Sequence, residues 1–295
     1  MNNTVPLKGI VAYPITPFDE KGRVDLAVYR KLLDRLMESG VHAIAPLGSA
    51  GVLPYLNDDE RMSISETTLA HVSGKLPVMI GVSSLTTERT VHHARFAEQA
   101  GASAVMIIPM SYWKLSEDEI FQHYRTVAEA ISIPIMAYNN PATGGSDMTP
   151  EFLARLLTIP NVTMIKESTG DVNRLHRLVQ TAGDSVAFFN GSNPLAFDAL
   201  AAGATGWCTA AANLIPDLNV ALYESIVTHS NLNEARGIFR RQLPLLQFLV
   251  AKGLPRTVAA GLEINGVSVG PLRHPLLPLN DREQEELRTL LSLAQ

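Results

Sequence analysis

Eight short apolar runs recur along this chain at fairly even intervals, and amphipathic stretches separate them. The runs cover residues 10–13, 43–47, 78–81, 104–108, 135–138, 162–166, 186–189 and 206–209. Runs of this length predict buried β-strands, and the stretches between them predict helices. A strand followed by a helix in each of eight units predicts parallel strands that close into a (β/α)8 TIM barrel. The 295 residues of the chain are enough for one such barrel.

Helix boundaries between the runs support this pattern. Helices are predicted at 26–37, 58–72, 88–99 and 117–130. The predicted N-caps are Asn57, Thr86, Ser116 and Thr149, because their side-chain oxygens can accept from free helix amides. Gly40, Gly101 and Gly203 follow helices at points that favour left-handed backbone. An open doubly wound sheet is the alternative, but no Gly-x-Gly-x-x-Gly turn follows the first run.

The chain continues beyond the eighth unit. Helical patterns occupy 235–250, 255–262 and 281–293, and no linker or low-complexity segment separates them from the rest. We therefore predict a barrel over residues 1–230 and C-terminal helices over residues 231–295 that pack on it.

Composition excludes several classes of protein. The net charge is −5 and no basic run occurs, so nucleic acid is not an expected partner. No stretch is long and apolar enough to span a bilayer, and the first four residues do not begin a signal peptide, so we expect a cytoplasmic protein. The single cysteine, Cys208, excludes an internal disulfide framework and is expected to be a buried, inert thiol.

A charged residue, Lys166, ends the sixth apolar run. Most lysines at strand ends are solvated, and that is the ordinary interpretation of this one. In a parallel barrel, however, chemistry gathers at the C-terminal ends of the strands. An amine that is partly removed from water is more available in its neutral form, which attacks a ketone to form a Schiff base.

Two neighbouring strand ends carry groups that suit such an amine. Tyr138 ends the fifth run, where a phenol can move protons to and from imine intermediates. Residues 48–51, Gly-Ser-Ala-Gly, follow the second run as a tight turn whose amides can hold a carboxylate. Alone, each feature is ordinary. Together they predict an amine, a proton shuttle and a carboxylate site around one cavity.

Five motifs resemble those of one enzyme superfamily over nearly the whole chain. They are Tyr-Pro-Ile-Thr-Pro-Phe at 13–18, the turn at 48–51, Tyr-Asn-Asn-Pro at 138–141, Lys-Glu-Ser-Thr-Gly-Asp at 166–171 and Gly-Pro-Leu-Arg-His-Pro-Leu at 270–276. The chain resembles the dihydrodipicolinate synthase and N-acetylneuraminate lyase superfamily of class I, Schiff-base aldolases. The turn at 48–51 is similar to that family's Gly-Ser/Thr-Thr-Gly-Glu loop.

The resemblance implies roles for individual residues. Lys166 would form an imine with a 2-oxo acid such as pyruvate, and Tyr138 would relay protons. Ser49 would hydrogen-bond the tyrosine or the substrate carboxylate, and the amides of Ser49 and Ala50 would hold that carboxylate. The resemblance implies neither a metal nor an organic cofactor.

Departures from the family pattern bear on the second part of the substrate. Ala50 and Val52 replace a threonine and a glutamate, so carboxylate binding should rely more on amides. Thr143 stands where dihydrodipicolinate synthases carry an arginine that binds their aldehyde substrate, which disfavours that activity. Gly191 and Ser192 follow the seventh run where sialic acid lyases carry acidic residues, which disfavours sialic acid.

The loop after the fourth run bears on assembly. Dihydrodipicolinate synthases lend a tyrosine from this loop across a subunit interface. In this chain Ser111 falls at that position. Either the neighbouring Tyr112 takes the role, or the proton relay is shorter than in those synthases. The resemblance implies a homotetramer built from dimers.

We predict a Schiff-base-forming lyase, an aldolase or dehydratase, acting on pyruvate or another 2-oxo acid such as a 2-keto-3-deoxy sugar acid. The alternatives are dihydrodipicolinate synthase itself and a catalytically weak protein that only binds 2-oxo acids. A metal-dependent or phosphate-binding barrel enzyme ranks lower, because no convergent His/Asp/Glu set and no late phosphate loop is evident.

Overall fold

The predicted barrel is present in the computed structural model, which describes residues 7–183 and 186–294. The strands are β1 (Gly9–Ala12), β2 (Ala43–Ile44), β3 (Met79–Gly81), β4 (Ala104–Ile107), β5 (Ile135–Asn139), β6 (Val162–Glu167), β7 (Ala187–Asn190) and β8 (Gly206–Thr209). Neighbours pair in parallel, and β1 lies between β2 and β8. The segment considered as a signal peptide, residues 1–4, lies outside the described residues.

The contact between β2 and β3 closes the barrel with few hydrogen bonds. Ile44 and Val78 form a single parallel bridge, and the amide of Gly81 donates to the carbonyl of Pro46 over 3.1 Å. The second strand is shorter than the predicted run at 43–47. Pro46 has no amide hydrogen, and Leu47 has a left-handed φ of 60°, so the chain turns out of the sheet there.

Helices cover the outside of the barrel. They are α1 (Leu26–Glu38), α2 (Asp58–Val72), α3 (Thr87–Gln99), α4 (Glu117–Ala130), α5 (Pro141–Gly144), α6 (Pro150–Leu156), α7 (Asn173–Ala182), α8 (Ala196–Ala201), α9 (Pro216–Tyr223), α10 (Leu232–Lys252), α11 (Leu254–Ile264) and α12 (Asp281–Leu293). The predicted caps at Asn57, Thr86, Ser116 and Thr149 all accept a backbone N–H of the first turn. Gly40, Gly101 and Gly203 have positive φ angles, as predicted.

The C-terminal helices share one apolar core with the barrel. Buried side chains of α10, such as Leu246 and Leu249, belong to the same cluster as Ile10 on β1. The cluster also contains Leu262 of α11 and Leu287 of α12. A division of the chain at residue 230 stays a prediction. Within the described residues, none of the helices combines the length and the apolar character needed to cross a membrane.

Candidate active site

The ammonium group of Lys166 lies inside the barrel, against the ring of Tyr138. The two residues are register partners on β6 and β5. Lys166 is only 2% exposed, and its Nζ lies 3.6 Å from the centroid of the Tyr138 ring. Side chains alternate along a strand, so both point inward while Asn139 and Glu167 point outward. The structure thus buries the amine instead of placing it in solvent.

The phenol oxygen of Tyr138 has two polar neighbours. Asn140 Nδ2 donates to it over 2.9 Å, and Ser49 Oγ lies 3.4 Å away. Burial opposes ionisation of this phenol, but the charge of Lys166 favours it, and so do the hydrogen bonds with Asn140 and Ser49. The net result is that the pKa of Tyr138 lies below its usual value. This environment suits a group that gives up and recovers a proton.

A second tyrosine, Tyr13, lies on the other side of the amine. Lys166 Nζ is 4.4 Å from the centroid of the Tyr13 ring. The Tyr13 hydroxyl donates to Met106 Sδ over 2.8 Å, and burial raises its pKa well above the usual value. This environment favours the neutral form of Tyr13, which packs beside Lys166. Sequence reasoning did not assign it to the site, although it ends the first apolar run.

The turn at 48–51 approaches the two tyrosines. Ser49 brings its hydroxyl to Tyr138, and a Cβ on Gly48 would lie 2.5 Å from the Tyr13 ring. Among the described residues, nothing accepts a hydrogen bond from the amides of Ser49 or Ala50. Free amides beside a buried ammonium are suited to holding an anion.

Backbone strain flanks this turn. Leu47 and Val52 have φ angles of 60° and 49°, which are unfavourable for residues with a side chain at Cβ. Thr16 Oγ1 donates to the carbonyl of Gly51 over 2.8 Å and fixes the far end of the turn. Strained backbone that the surrounding structure holds in place is typical of functional sites.

Glu167, next to the lysine, is fully engaged on the outer side of β6. Its carboxylate accepts from the amide of Thr169 over 2.7 Å, from Asn139 Nδ2 over 3.1 Å and from Arg174 Nε over 3.1 Å. Arg174 also pairs with Asp147 at 2.9 Å. Burial lowers the pKa of Arg174, but Glu167 and Asp147 outweigh that effect and raise it. These contacts support a structural role for Glu167.

The loop after β7 presses against the lysine stem. A Cβ on Gly191 would lie 2.5 Å from Lys166 Cε and 1.8 Å from Ser168 Oγ, so a larger residue would have to displace these side chains. The Ser168 hydroxyl is buried and has no hydrogen-bond partner among the described residues. The amide of Ser192 donates to Asn190 Oδ1 over 3.1 Å. Gly191 thus lies against Lys166, and Ser168 beside it is a group that sequence reasoning missed. The hydroxyl of Ser192 instead lies near Gly170, 3.7 Å from the position of an added Cβ.

Thr143 and Tyr112 lie differently. Thr143 is exposed on α5, and its hydroxyl donates to the carbonyl of Asn140 over 3.4 Å. Tyr112 is 90% exposed and packs edge-to-face on Trp113, which is itself 77% exposed. The single chain does not bring Tyr112 into the hydrogen-bond network of Tyr138.

The buried amine of Lys166, the phenol of Tyr138 and the turn at 48–51 meet at the C-terminal ends of parallel strands, where barrel enzymes carry their active sites. In the described ranges, no three His, Cys, Asp or Glu side chains converge as metal ligands. The family follows from comparison with known proteins: the chain belongs to the dihydrodipicolinate synthetase family, whose model matches residues 6–294. Members of this family are lyases, and the chain is an enzyme of that class.

Individual relatives match over almost their whole length. The 4-hydroxy-tetrahydrodipicolinate synthase of Bacillus velezensis is 31% identical over 280 residues, covering 94% of this chain and 96% of the relative. A solved structure from Pseudomonas aeruginosa, provisionally assigned as a dihydrodipicolinate synthetase, is 48% identical with a TM-score of 0.96, covering 98% of this chain and 100% of that one. The dihydrodipicolinate synthase of Thermotoga maritima is 31% identical with a TM-score of 0.92, covering 98% of each chain.

Proposed function

We propose that the protein is a Schiff-base-forming lyase whose substrate is pyruvate or another 2-oxo acid, with Lys166 as the nucleophile and Tyr138 as the proton relay. The observation that carries this proposal is the amine of Lys166, 2% exposed and 3.6 Å from the centroid of the Tyr138 ring. In proteins generally, a buried lysine is paired with an opposite charge. The nearest charged side chain along β6, Glu167, points to the opposite face and binds Arg174.

Imine formation uses the residues around the amine. The neutral amine of Lys166 attacks the ketone carbon, and the carbonyl oxygen becomes the hydroxyl of a carbinolamine. Tyr138 delivers a proton to that hydroxyl, water leaves, and a protonated imine remains. The amides of Ser49 and Ala50 hold the substrate carboxylate during these steps. No metal or organic cofactor takes part in the proposed scheme.

The protonated imine then accepts electrons from the substrate. Cleavage of a carbon–carbon bond, or loss of a proton, leaves its electron pair in an enamine that the imine nitrogen stabilises. The Tyr138 phenolate accepts the proton that is lost, either from the substrate hydroxyl that becomes an aldehyde on cleavage or from the carbon beside the imine. Tyr138 then donates this proton to the enamine carbon or to a leaving hydroxyl, which departs as water. Water finally hydrolyses the imine and regenerates the Lys166 amine.

The second part of the substrate is proposed to be hydroxylated and uncharged, as in a 2-keto-3-deoxy sugar acid. Thr143 takes the place of the family's arginine, and the neutral hydroxyl of Ser168 lies near the stem of Lys166. Relatives that are 4-hydroxy-tetrahydrodipicolinate synthases favour a second candidate, that activity itself. Ala50 and Thr143 weigh against this second candidate.

A homotetramer is part of the proposal, and so is a cytoplasmic location. Tyr112 and Trp113 project from the loop after β4. The same loop borders a groove of about 1200 Å³ between α3 and α4, which Val91, Phe96 and Leu115 line. Exposed aromatic side chains beside an apolar groove support a contact with a second copy of the chain.

Borohydride trapping tests the proposal. The protein is incubated with pyruvate, or with each member of a panel of 2-oxo acids, and then reduced. Peptide mass spectrometry should locate the adduct on Lys166. Lys166→Ala should abolish trapping, whereas Lys114→Ala, an exposed lysine in the loop after β4, should trap normally. No adduct with any 2-oxo acid in the panel would overturn the proposed function.

Turnover on the same panel separates the candidates. Cleavage of a 2-keto-3-deoxy sugar acid, or water loss from it, supports the sugar-acid candidate. Formation of 4-hydroxy-tetrahydrodipicolinate supports dihydrodipicolinate synthase activity. A trapped adduct without turnover favours a catalytically weak protein that only binds 2-oxo acids. Tyr138→Phe should lower kcat by about 100-fold or more while KM changes little, since a relay acts in the transition state. An equal loss in kcat and in 2-oxo-acid affinity would contradict the relay.

A further inference from the structure

Asn140 stands two residues after Tyr138, where the end of β5 turns into α5. Because side chains alternate along an extended chain, residues 138 and 140 face the same side, and Asn139 faces the other. The side chain of Asn139 accordingly binds Asp147 and Glu167 outside the barrel. The side chain of Asn140 instead donates to the phenol oxygen of Tyr138 over 2.9 Å.

The helix that follows does not explain an asparagine at position 140. Asparagine is favoured at an N-cap because its side chain accepts from amides of the first turn. Asn140 occupies the N-cap of α5, yet its side chain makes no capping hydrogen bond. Its backbone carbonyl is the group that holds the turn, accepting from the amides of Thr143 at 3.1 Å and Gly144 at 2.8 Å. The carboxamide is therefore free for Tyr138, on a backbone that the turn fixes.

A donor on the phenol oxygen has two chemical consequences. The N–H of Asn140 uses a lone pair of that oxygen, so the proton of Tyr138 points elsewhere, toward Ser49 or the reacting centre. The same N–H stabilises the phenolate, because hydrogen bonds to an ionised group are stronger than those to a neutral one. Ser49, at 3.4 Å, is the more distant neighbour.

We infer that Asn140 is a positioning residue for proton transfer: its carboxamide N–H fixes the direction of the Tyr138 proton and stabilises the phenolate between transfers. The catalytic part of this inference rests on the proposed function, because it requires Tyr138 to be the relay. The lowered pKa of Tyr138, to which the Asn140 bond contributes after the charge of Lys166, agrees with it.

The direction in which the Tyr138 pKa shifts when Asn140 is replaced tests the inference without substrate. Protein labelled with ¹³C at tyrosine Cζ is titrated by NMR, and Tyr138→Phe identifies the Tyr138 signal. In Asn140→Leu the Tyr138 transition should move to higher pH, since the phenolate loses a donor. A transition that stays in place, or moves to lower pH, overturns the inference. A move to lower pH would mean that the Tyr138 phenol donates to the carboxamide oxygen of Asn140, because loss of that hydrogen bond destabilises the neutral phenol.

A matched change in the same turn controls for structural disturbance. Pro141→Ala alters the first residue of α5 and keeps the Asn140 carboxamide, so the Tyr138 transition should stay at the wild-type pH. An equal shift in both variants would show that the turn matters and the N–H does not. With a turned-over 2-oxo acid, Asn140→Leu should lower kcat about tenfold with little change in KM, and borohydride trapping on Lys166 should persist. Absence of trapping in the wild-type protein would refute the proposed function and leave the titration result standing.

Discussion

At the scale of single residues, the site depends on two phenols that have different surroundings. Tyr13 and Tyr138 both contact the ammonium of Lys166 and both are buried. Burial dominates at Tyr13 and raises its pKa, whereas the charge of Lys166 and two hydrogen bonds offset burial at Tyr138 and lower its pKa. Opposite shifts in neighbouring groups give them separate roles. Under the proposed mechanism, Tyr138 is the phenol that exchanges protons, and Tyr13 packs beside the amine.

Gly191 gives a prediction at this scale. In Gly191→Ala the added methyl group would overlap Ser168 Oγ and Lys166 Cε, at 1.8 and 2.5 Å. The lysine must then move, and a displacement of about 1 Å at a reacting group costs on the order of 100-fold in rate. We expect the rate of borohydride trapping with pyruvate to fall by at least about tenfold. The rate is measured by mass spectrometry over time.

Gly237→Ala is the control for this change. Gly237 lies within α10, and nothing stands within 4 Å of the position of an added Cβ. The control should trap at the wild-type rate and gain about 0.5–1 kcal/mol of stability, as alanine does in a helix interior. Wild-type trapping in Gly191→Ala would show that Lys166 tolerates displacement and that this contact does not fix it.

At the scale of elements, the segment after α11 is fastened to the loops at the top of the barrel by Arg273. Its guanidinium donates to the carbonyls of Tyr55 and Gly22 over 2.7 and 2.8 Å and forms a bidentate pair with Glu60 of α2. It also lies 4.5 Å from the centroid of the Phe18 ring. This arginine joins three separate parts of the chain, which explains why the closing segment has a fixed path.

Glu60→Gln tests this contact through its pH dependence. The hydrogen bonds from Arg273 hold the pKa of Glu60 below its usual value, against an opposing effect of burial. A lowered pKa stabilises the fold above the unfolded-state pKa of about 4.3, and that stabilisation is lost as pH falls through the folded-state pKa. We expect a loss of about 1–3 kcal/mol at pH near 7, measured by urea unfolding, and a smaller difference at about pH 3.5, below the unfolded-state pKa.

Glu151→Gln is the comparison variant for Glu60→Gln. Glu151 pairs with Arg177 at 2.7 Å, but the two side chains are 52% and 60% exposed. Exposed pairs contribute about 0–1 kcal/mol, so this variant should unfold close to the wild type at both pH values. If the stability difference between Glu60→Gln and the wild type does not shrink in acid, charge pairing with Arg273 is not its cause.

At the scale of the whole molecule, the assembly decides whether Tyr112 belongs to a site. Within one chain Tyr112 is exposed, and the groove beside its loop is open. If copies pair through this surface, the tyrosine of one chain can complete the site of its neighbour, since a two-fold interface exchanges the same residues in both directions.

Mixing two inactive variants tests this arrangement. Tyr112→Ala lacks the tyrosine and Lys166→Ala lacks the nucleophile. Reassembly of the two together should restore a share of the turnover, because a mixed dimer contains one site with Lys166 from one chain and Tyr112 from the other. Native mass spectrometry should show the mixed species. Mixed assemblies without recovered turnover would contradict a role for Tyr112 across the interface.

Most of the barrel could be predicted from the sequence because strands and helices depend on local patterns. All eight strands and the four marked N-caps lie within a few residues of their predicted positions. The largest difference is at β2, where Pro46 and the left-handed Leu47 end the strand within an apolar run. The apolar character of residues 43–47 predicts a longer strand, because it carries no information about the φ angle of Leu47.

Local sequence patterns were enough to predict the alternation of strands and helices, the strand ends at which polar groups collect, and the motifs that carry the family resemblance. These follow from short-range spacing, which sets side-chain direction within one element. The folded chain was needed to show which residues those polar groups contact. Tyr13 lies beside Lys166, and Asn140 donates a hydrogen bond to the Tyr138 oxygen. Glu167 pairs with Arg174, and Tyr112 is exposed. Such contacts join residues far apart in the chain or choose one of several side-chain directions, and both depend on how the strands close into a barrel.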